Sequence, residues 1–117
     1  MIYPKYQIFR DGEDGQFYYQ LKAADGKIVL NSEGYPSREF CLDNINLIRR
    51  NARFDNSFDR KNEFSNYTFV LKCCKGEVLA EGEAYYDTNS REGGIYAVKR
   101  DGITAPVEDL SENRLLK

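Results

Sequence analysis

No histidine occurs anywhere in the 117 residues, and none of the three cysteines belongs to a CxxC pair. The missing imidazole removes the commonest general base and the commonest activator of a serine or cysteine nucleophile, which weighs against an enzyme. A metal site would have to be built from cysteine and carboxylate alone, so neither a metal nor another cofactor is expected. Cys41, Cys73 and Cys74 are odd in number, cannot all pair within the chain, and are expected to stay reduced. No apolar run is long enough to span a bilayer, and the opening MIYPKYQIF has no apolar signal region, so the expectation is a cytoplasmic protein with no membrane attachment. Charge of one sign is scarce as well: 17 basic against 19 acidic residues give a net charge of -2. A broad electrostatic footprint for nucleic acid is not expected from that balance.

What the chain does have is a repeat. Shifted against itself by fifty positions, Leu21 to Ala52 aligns with Leu71 to Gly102 without a gap, and seven of thirty-two pairs are identical. They are Leu21/Leu71, Lys22/Lys72, Gly26/Gly76, Glu33/Glu83, Tyr35/Tyr85, Ile45/Ile95 and Arg50/Arg100. Unrelated segments of ordinary composition would share roughly two. Two units of this size would each be marginal alone, so a shared core is expected in one domain, residues 1–117. Repeat one covers about 4–53, repeat two about 57–110, and 111–117 is a tail.

Within the first unit, Tyr6 to Arg10 reads as a strand ending in the turn Asp11-Gly12. Gln16 to Ala23 alternates cleanly, with Phe17, Tyr19, Leu21 and Ala23 on one face. Asp25-Gly26 predicts a type I′ hairpin into a third strand, Lys27 to Ser32, with Ile28 and Leu30 facing one way. After Tyr35-Pro36 the period lengthens, and Cys41, Ile45, Ile48 and Ala52 form the stripe of a helix from about Arg38 to Ala52, capped by Ser37. Phe58 to Lys61 predicts a weak fourth strand, Tyr67 to Cys73 a fifth and Val78 to Ala80 part of a sixth. The second helix, about Asn89 to Arg100, carries Gly93-Gly94 at about 1 kcal/mol per glycine, and an irregular or late first turn is expected. The fold class is therefore α+β: two tandem βββα repeats forming one antiparallel sheet with both helices on one face, related by a pseudo-twofold.

The sequence resembles the YegP-like family of small bacterial proteins, built from one or two copies of a fifty-residue unit. The likeness is carried by Leu21-Lys22-Ala23-Ala24-Asp25-Gly26, Ser32-Glu33-Gly34-Tyr35 with Ser37, and Arg49-Arg50-Asn51-Ala52. In the second unit it lies in Phe69-Val70-Leu71-Lys72, Gly76-Glu77-Val78, Glu83-Ala84-Tyr85, Gly94-Ile95, Val98-Lys99 and Ala105 to Leu110. Asn44 stands where a glycine is usual, Lys75 replaces the turn asparagine or aspartate, and Cys73-Cys74 replaces a small pair. The resemblance implies that each helix packs across onto the other unit's strands, and it implies no assigned activity.

Three candidate features follow. Glu33 with Tyr35, and Glu83 with Tyr85, recur at the strand-to-helix junctions, where a carboxylate could orient a ligand's donors and a tyrosine could flank it; serving the helix terminus is the structural alternative. Cys73 and Cys74, as strand neighbours, point to opposite faces and read as small packed residues, and Cys41 reads as core. Strict alternation places Phe9, Tyr18, Val29, Val70 and Leu79 on the face away from the helices, an apolar set that would suit a homo-oligomer or a protein partner. The expected function is a non-enzymatic binding or interaction module, with a small-molecule binder or enzyme at the Glu/Tyr junctions as the alternative.

Overall fold

The computed structural model describes residues 2–73 and 76–111; the readings made for Cys74 and for the tail beyond residue 111 fall outside them. The chain is α+β, two tandem βββα units contributing to one seven-stranded sheet. Unit one comprises β1 (Lys5–Arg10), β2 (Phe17–Lys22), β3 (Ile28–Asn31) and α1 (Arg38–Asn51). A single 3-10 turn at Asp55–Ser57 leads into unit two, made of β4 (Phe58–Glu63), β5 (Asn66–Lys72), β6 (Val78–Gly82) and α2 (Thr88–Asp101). A last strand, β7 (Val107–Asp109), has no counterpart among the expected elements; it pairs parallel to β1 and covers that edge. The order β4-β5-β6-β3-β2-β1-β7 puts the pseudo-twofold between β3 and β6, whose ladder consists of Leu30↔Gly82 and Asn31↔Glu81.

Cross-strand partners share a face, so the registers fix which side is buried. Tyr6 and Ile8 of β1 oppose Leu21 and Tyr19 of β2, Leu21 opposes Leu30, and Leu71 opposes both Phe58 and Ala80. These residues join Cys41, Ile45, Ile48 and Ala52 of the first half and Ile95 and Val98 of the second in a single buried cluster. Each helix bridges the halves: α1 packs on β2 and on β6, and α2 on β5 and on β3. The crossing implied by the family resemblance is thus present on the third strands, while each helix also keeps its own unit's second strand.

Residues fifty apart share their environment at Leu21/Leu71, Ile45/Ile95 and Ile48/Val98, all buried. Alternation fails at one point in each unit. The ladder passes from Leu21↔Leu30 to Lys22↔Ile28 and from Leu71↔Ala80 to Lys72↔Val78, leaving Val29 and Leu79 as the extra residues of two equivalent bulges. A bulge sets two residues against one and breaks the period of two. Val29 and Leu79, expected on the open face, therefore lie in the core.

Local chemistry explains the other departures. The Ala23–Lys27 turn closes with the Gly26 amide donating to the Ala23 carbonyl and that of Ala23 donating to Lys27, and only Gly26 takes a positive φ, 89°. It is a longer loop than the predicted type I′ turn, with one left-handed glycine. Ser37 caps α1 as expected, accepting from the Phe40 amide. The second helix is regular and starts at Thr88, because the Asp87 carboxylate accepts from the Ser90 amide at 2.8 Å and anchors the first turn.

Candidate functional site

The two junctions are built alike in the backbone. Tyr35 exchanges two hydrogen bonds of 2.8 Å with Phe17, and Tyr85 exchanges bonds of 3.0 and 2.9 Å with Tyr67. Their side chains differ. The Tyr35 ring lies between Tyr19 and Phe40, stacked at 6.4 and 6.5 Å, and its hydroxyl side is held by Asn44. Tyr85 has no such lid. The hydroxyl end of its ring reaches the backbone of α2, where a Cβ on Gly94 would come within 2.4 Å of the hydroxyl oxygen and 2.9 Å of Cζ. Glycine is required at that helix position by the close approach.

Beyond the short β3–β6 ladder the two strands fork, and α2 roofs the opening. The result is a groove of about 570 Å³, with Val29 and Ile28 on one side and Glu83 and Tyr85 on the other. Ser90, Gly93, Gly94 and Ala97 of α2 complete it, with Ala23, Asp25 and Lys27 of the β2–β3 hairpin at its end. A separate cavity of about 250 Å³ is lined by Asn31, Ser32, Glu33, Val78, Ala80 and Glu81, none of them on α1. At the fifty-residue offset the helices differ in bulk: where α2 has Ser90, Gly93, Gly94 and Ala97, α1 has Phe40, Asp43, Asn44 and Leu47. The structure thus gathers Glu83 and Tyr85 into one groove, puts Glu33 in a separate and smaller cavity, and packs Tyr35 between aromatic rings. Sequence reasoning picked out Glu83 and Tyr85 but missed the small residues of α2, although a comparison of the helices at the fifty-residue offset carries that signal.

Glu83 is half-buried, and its Oε2 accepts a short hydrogen bond from the Asn31 side-chain amide. Among the described residues no lysine or arginine pairs with it. Burial, with the Glu83 charge adding to it, raises the Tyr85 phenol above its ordinary value, so the hydroxyl stays protonated. Asp25 uses Oδ1 to accept the Lys27 amide within the turn, and both side chains stand exposed at the mouth.

The sheet face away from the helices is a polar lattice. Gln7 donates to Glu108 at 2.8 Å, Gln20 to Asn31 at 3.0 Å, and Lys72 pairs with Asp59 at 2.9 Å. Phe9 and Tyr18 stack there at 5.8 Å, with the Tyr18 hydroxyl donating to Asp14, and Val70 is buried between its partners Asp59 and Glu81. Of the five residues expected to form an apolar surface, Val29 and Leu79 are core, Val70 is buried between charged partners, and Phe9 and Tyr18 stack on each other. Cys41 is fully buried, and burial pushes its thiol up to about 11; Cys73 is half-buried, with Sγ 3.6 Å from Glu77 Oε1.

A sequence profile described as Domain of unknown function (DUF1508) matches this chain twice, over residues 13–59 and 65–109. The chain belongs to that family. It is 34% identical over 103 residues to a UPF0339 protein of Pseudomonas aeruginosa, covering 87% of this chain and 94% of that one. It is 31% identical over 97 residues to the UPF0339 protein YegP of Escherichia coli, covering 82% and 88%. Two solution structures share the fold, each with a TM-score of 0.87. The Escherichia coli yegP protein is 26% identical with 97% and 98% covered, and a UPF0339 protein of Shewanella oneidensis is 24% identical with 92% of each chain covered. DUF1508 is by its description a domain of unknown function, and yegP is likewise described as a protein of unknown function. Among the described residues of this DUF1508 chain, no helix is long and apolar enough to cross a membrane.

Proposed function

We propose that this DUF1508 protein is a non-enzymatic binding module whose ligand site is the groove between α2, β3 and the Glu83–Tyr85 junction. The observation that carries this reading is the asymmetry of the repeat. Where α1 has Phe40, Asp43, Asn44 and Leu47, α2 has Ser90, Gly93, Gly94 and Ala97, and the groove they line, about 570 Å³, falls within the size range of small-molecule sites. Its walls combine an apolar floor with a few convergent polar groups, the usual pattern of such sites. Glu83 and Tyr85 serve as hydrogen-bonding and steric walls rather than as an acid–base pair, since Tyr85 is held in its protonated form. The self-association reading has lost most of its motive, because two of its five residues are core and Val70 is buried, which leaves only the stacked pair Phe9 and Tyr18. A reducing, cytoplasmic setting accords with the free thiol sealed at Cys41.

The test is to fill the groove with the larger side chains that α1 carries at the equivalent positions. The variant Ser90→Phe with Ala97→Leu copies Phe40 and Leu47 of α1, and an amide NMR spectrum reports whether it stays folded. Fragment and metabolite pools titrated into labelled wild-type protein should shift the amides of β3 and of the first half of α2, and the filled variant should lose the response. Ligands that leave those amides unmoved, or that move them equally in the filled variant, would overturn the reading.

A further inference from the structure

Resting on the groove as the ligand site, we propose that it takes a small organic cation, an ammonium or guanidinium group carried on a short apolar body. Glu83 is the one acidic side chain of the groove walls that is half-buried; Asp25 stands exposed at the mouth beside the exposed Lys27, and the two charges there offset each other. Only one of the two Glu83 oxygens is engaged, by the neutral amide of Asn31, and no basic side chain among the described residues answers its charge. A half-buried carboxylate without a counter-charge is poorly solvated by an apolar ligand and repels an anionic one, so its best occupant brings the missing positive charge. The floor selects the rest of the molecule. Ile28, Val29 and Ala97 are apolar, and the open space beside Gly93 lets a body of some thickness lie against α2. The ammonium would then sit at the free oxygen of Glu83 and the apolar body along the helix.

The experiment uses the full chain and three probes of one size: phenethylamine, 2-phenylethanol and 3-phenylpropanoate. Each is titrated by amide NMR into wild type, Glu83→Gln and the Ser90→Phe, Ala97→Leu variant. A charge-assisted hydrogen bond exceeds a neutral one by enough for about a tenfold difference in Kd. Wild type should therefore bind the amine about tenfold more tightly than the alcohol, and the carboxylate most weakly. Glu83→Gln should bring the amine to the affinity of the alcohol. If amine and alcohol bind the groove equally, or if Glu83→Gln keeps the preference, the cation assignment is overturned while the groove stands. If no probe moves the groove amides of wild type, or all bind equally to the filled variant, the groove reading fails and the cation assignment with it.

Discussion

Arg91 occupies the helix slot that belongs to Cys41 in the first half, and it is buried there with 6% of its surface exposed. A buried guanidinium needs acceptors, and the second half has changed several residues to supply them. Arg91 donates to Asn62 and, at 3.2 Å, to Glu92; Arg60, which faces Phe69 as Ile8 faces Tyr19, clamps Glu92 with bonds of 2.7 and 2.9 Å. Asp55 closes the network, 3.0 Å from Arg60 and 2.7 Å from Lys99. The chain shows the charge swap in plain sight at the fifty-residue offset, but helical periodicity alone reads an arginine as solvated, and only its partners reveal that it is not. The hydrogen bonds from Arg60 and Lys99 hold the Asp55 carboxyl down at about 2, below its unfolded value. The sign is that of a depressed acid: its contribution is full above the unfolded value of about 3.9 and disappears as pH falls toward the folded one. Urea midpoints of wild type and Asp55→Asn should therefore differ at pH 6, and the gap should close between about pH 4 and pH 2. A gap independent of pH would show that Asp55 acts through something other than its charge.

At the scale of single elements, the strands, the first helix and its cap were legible because period and capping chemistry are local. The bulges were not, because the residue that slips out of register is decided by the facing strand; Val29 and Leu79 follow a perfect alternation in the sequence and still turn inward. The second helix shows the reverse error. Counting propensity against Gly93-Gly94 predicts a late start, whereas the Asp87 cap and the burial of Ile95 and Val98 hold a helix of 14 residues. Its two glycines have unlike reasons to be there. Nothing lies within 4 Å of a Cβ on Gly93, while one on Gly94 collides with Tyr85. Gly93→Ala should raise stability by about 0.5–1 kcal/mol through helix propensity, and Gly94→Ala should lower it by about 1 kcal/mol as overpacking outweighs the same gain. Urea unfolding of the two variants decides this, and an equal stabilisation by both would remove the claim that Tyr85 is seated on the helix backbone.

For the whole molecule, the repeat made the α+β architecture readable, since two marginal units with matched apolar stripes must close on each other. The identity of what covers the β1 edge was out of reach: β7 is three residues long, too short to show a period, and its partner β1 lies about a hundred positions away. The topology makes both halves dependent. Unit one lends β3 to α2, unit two lends β6 to α1, and the segment after α2 supplies the strand that covers β1. Cutting the chain between Arg53 and Phe54 would expose Leu30, Val29 and the inner face of α1 in one piece, and Leu79, Ala80 and the inner face of α2 in the other. A fifty-residue piece buries too little surface to offset its chain entropy. Each half expressed alone should therefore show no cooperative thermal transition by circular dichroism, and an equimolar mixture should regain the dispersed amide spectrum of the intact chain. A sharp melt from either half alone would mean that the pairing across β3 and β6 is not what holds the fold.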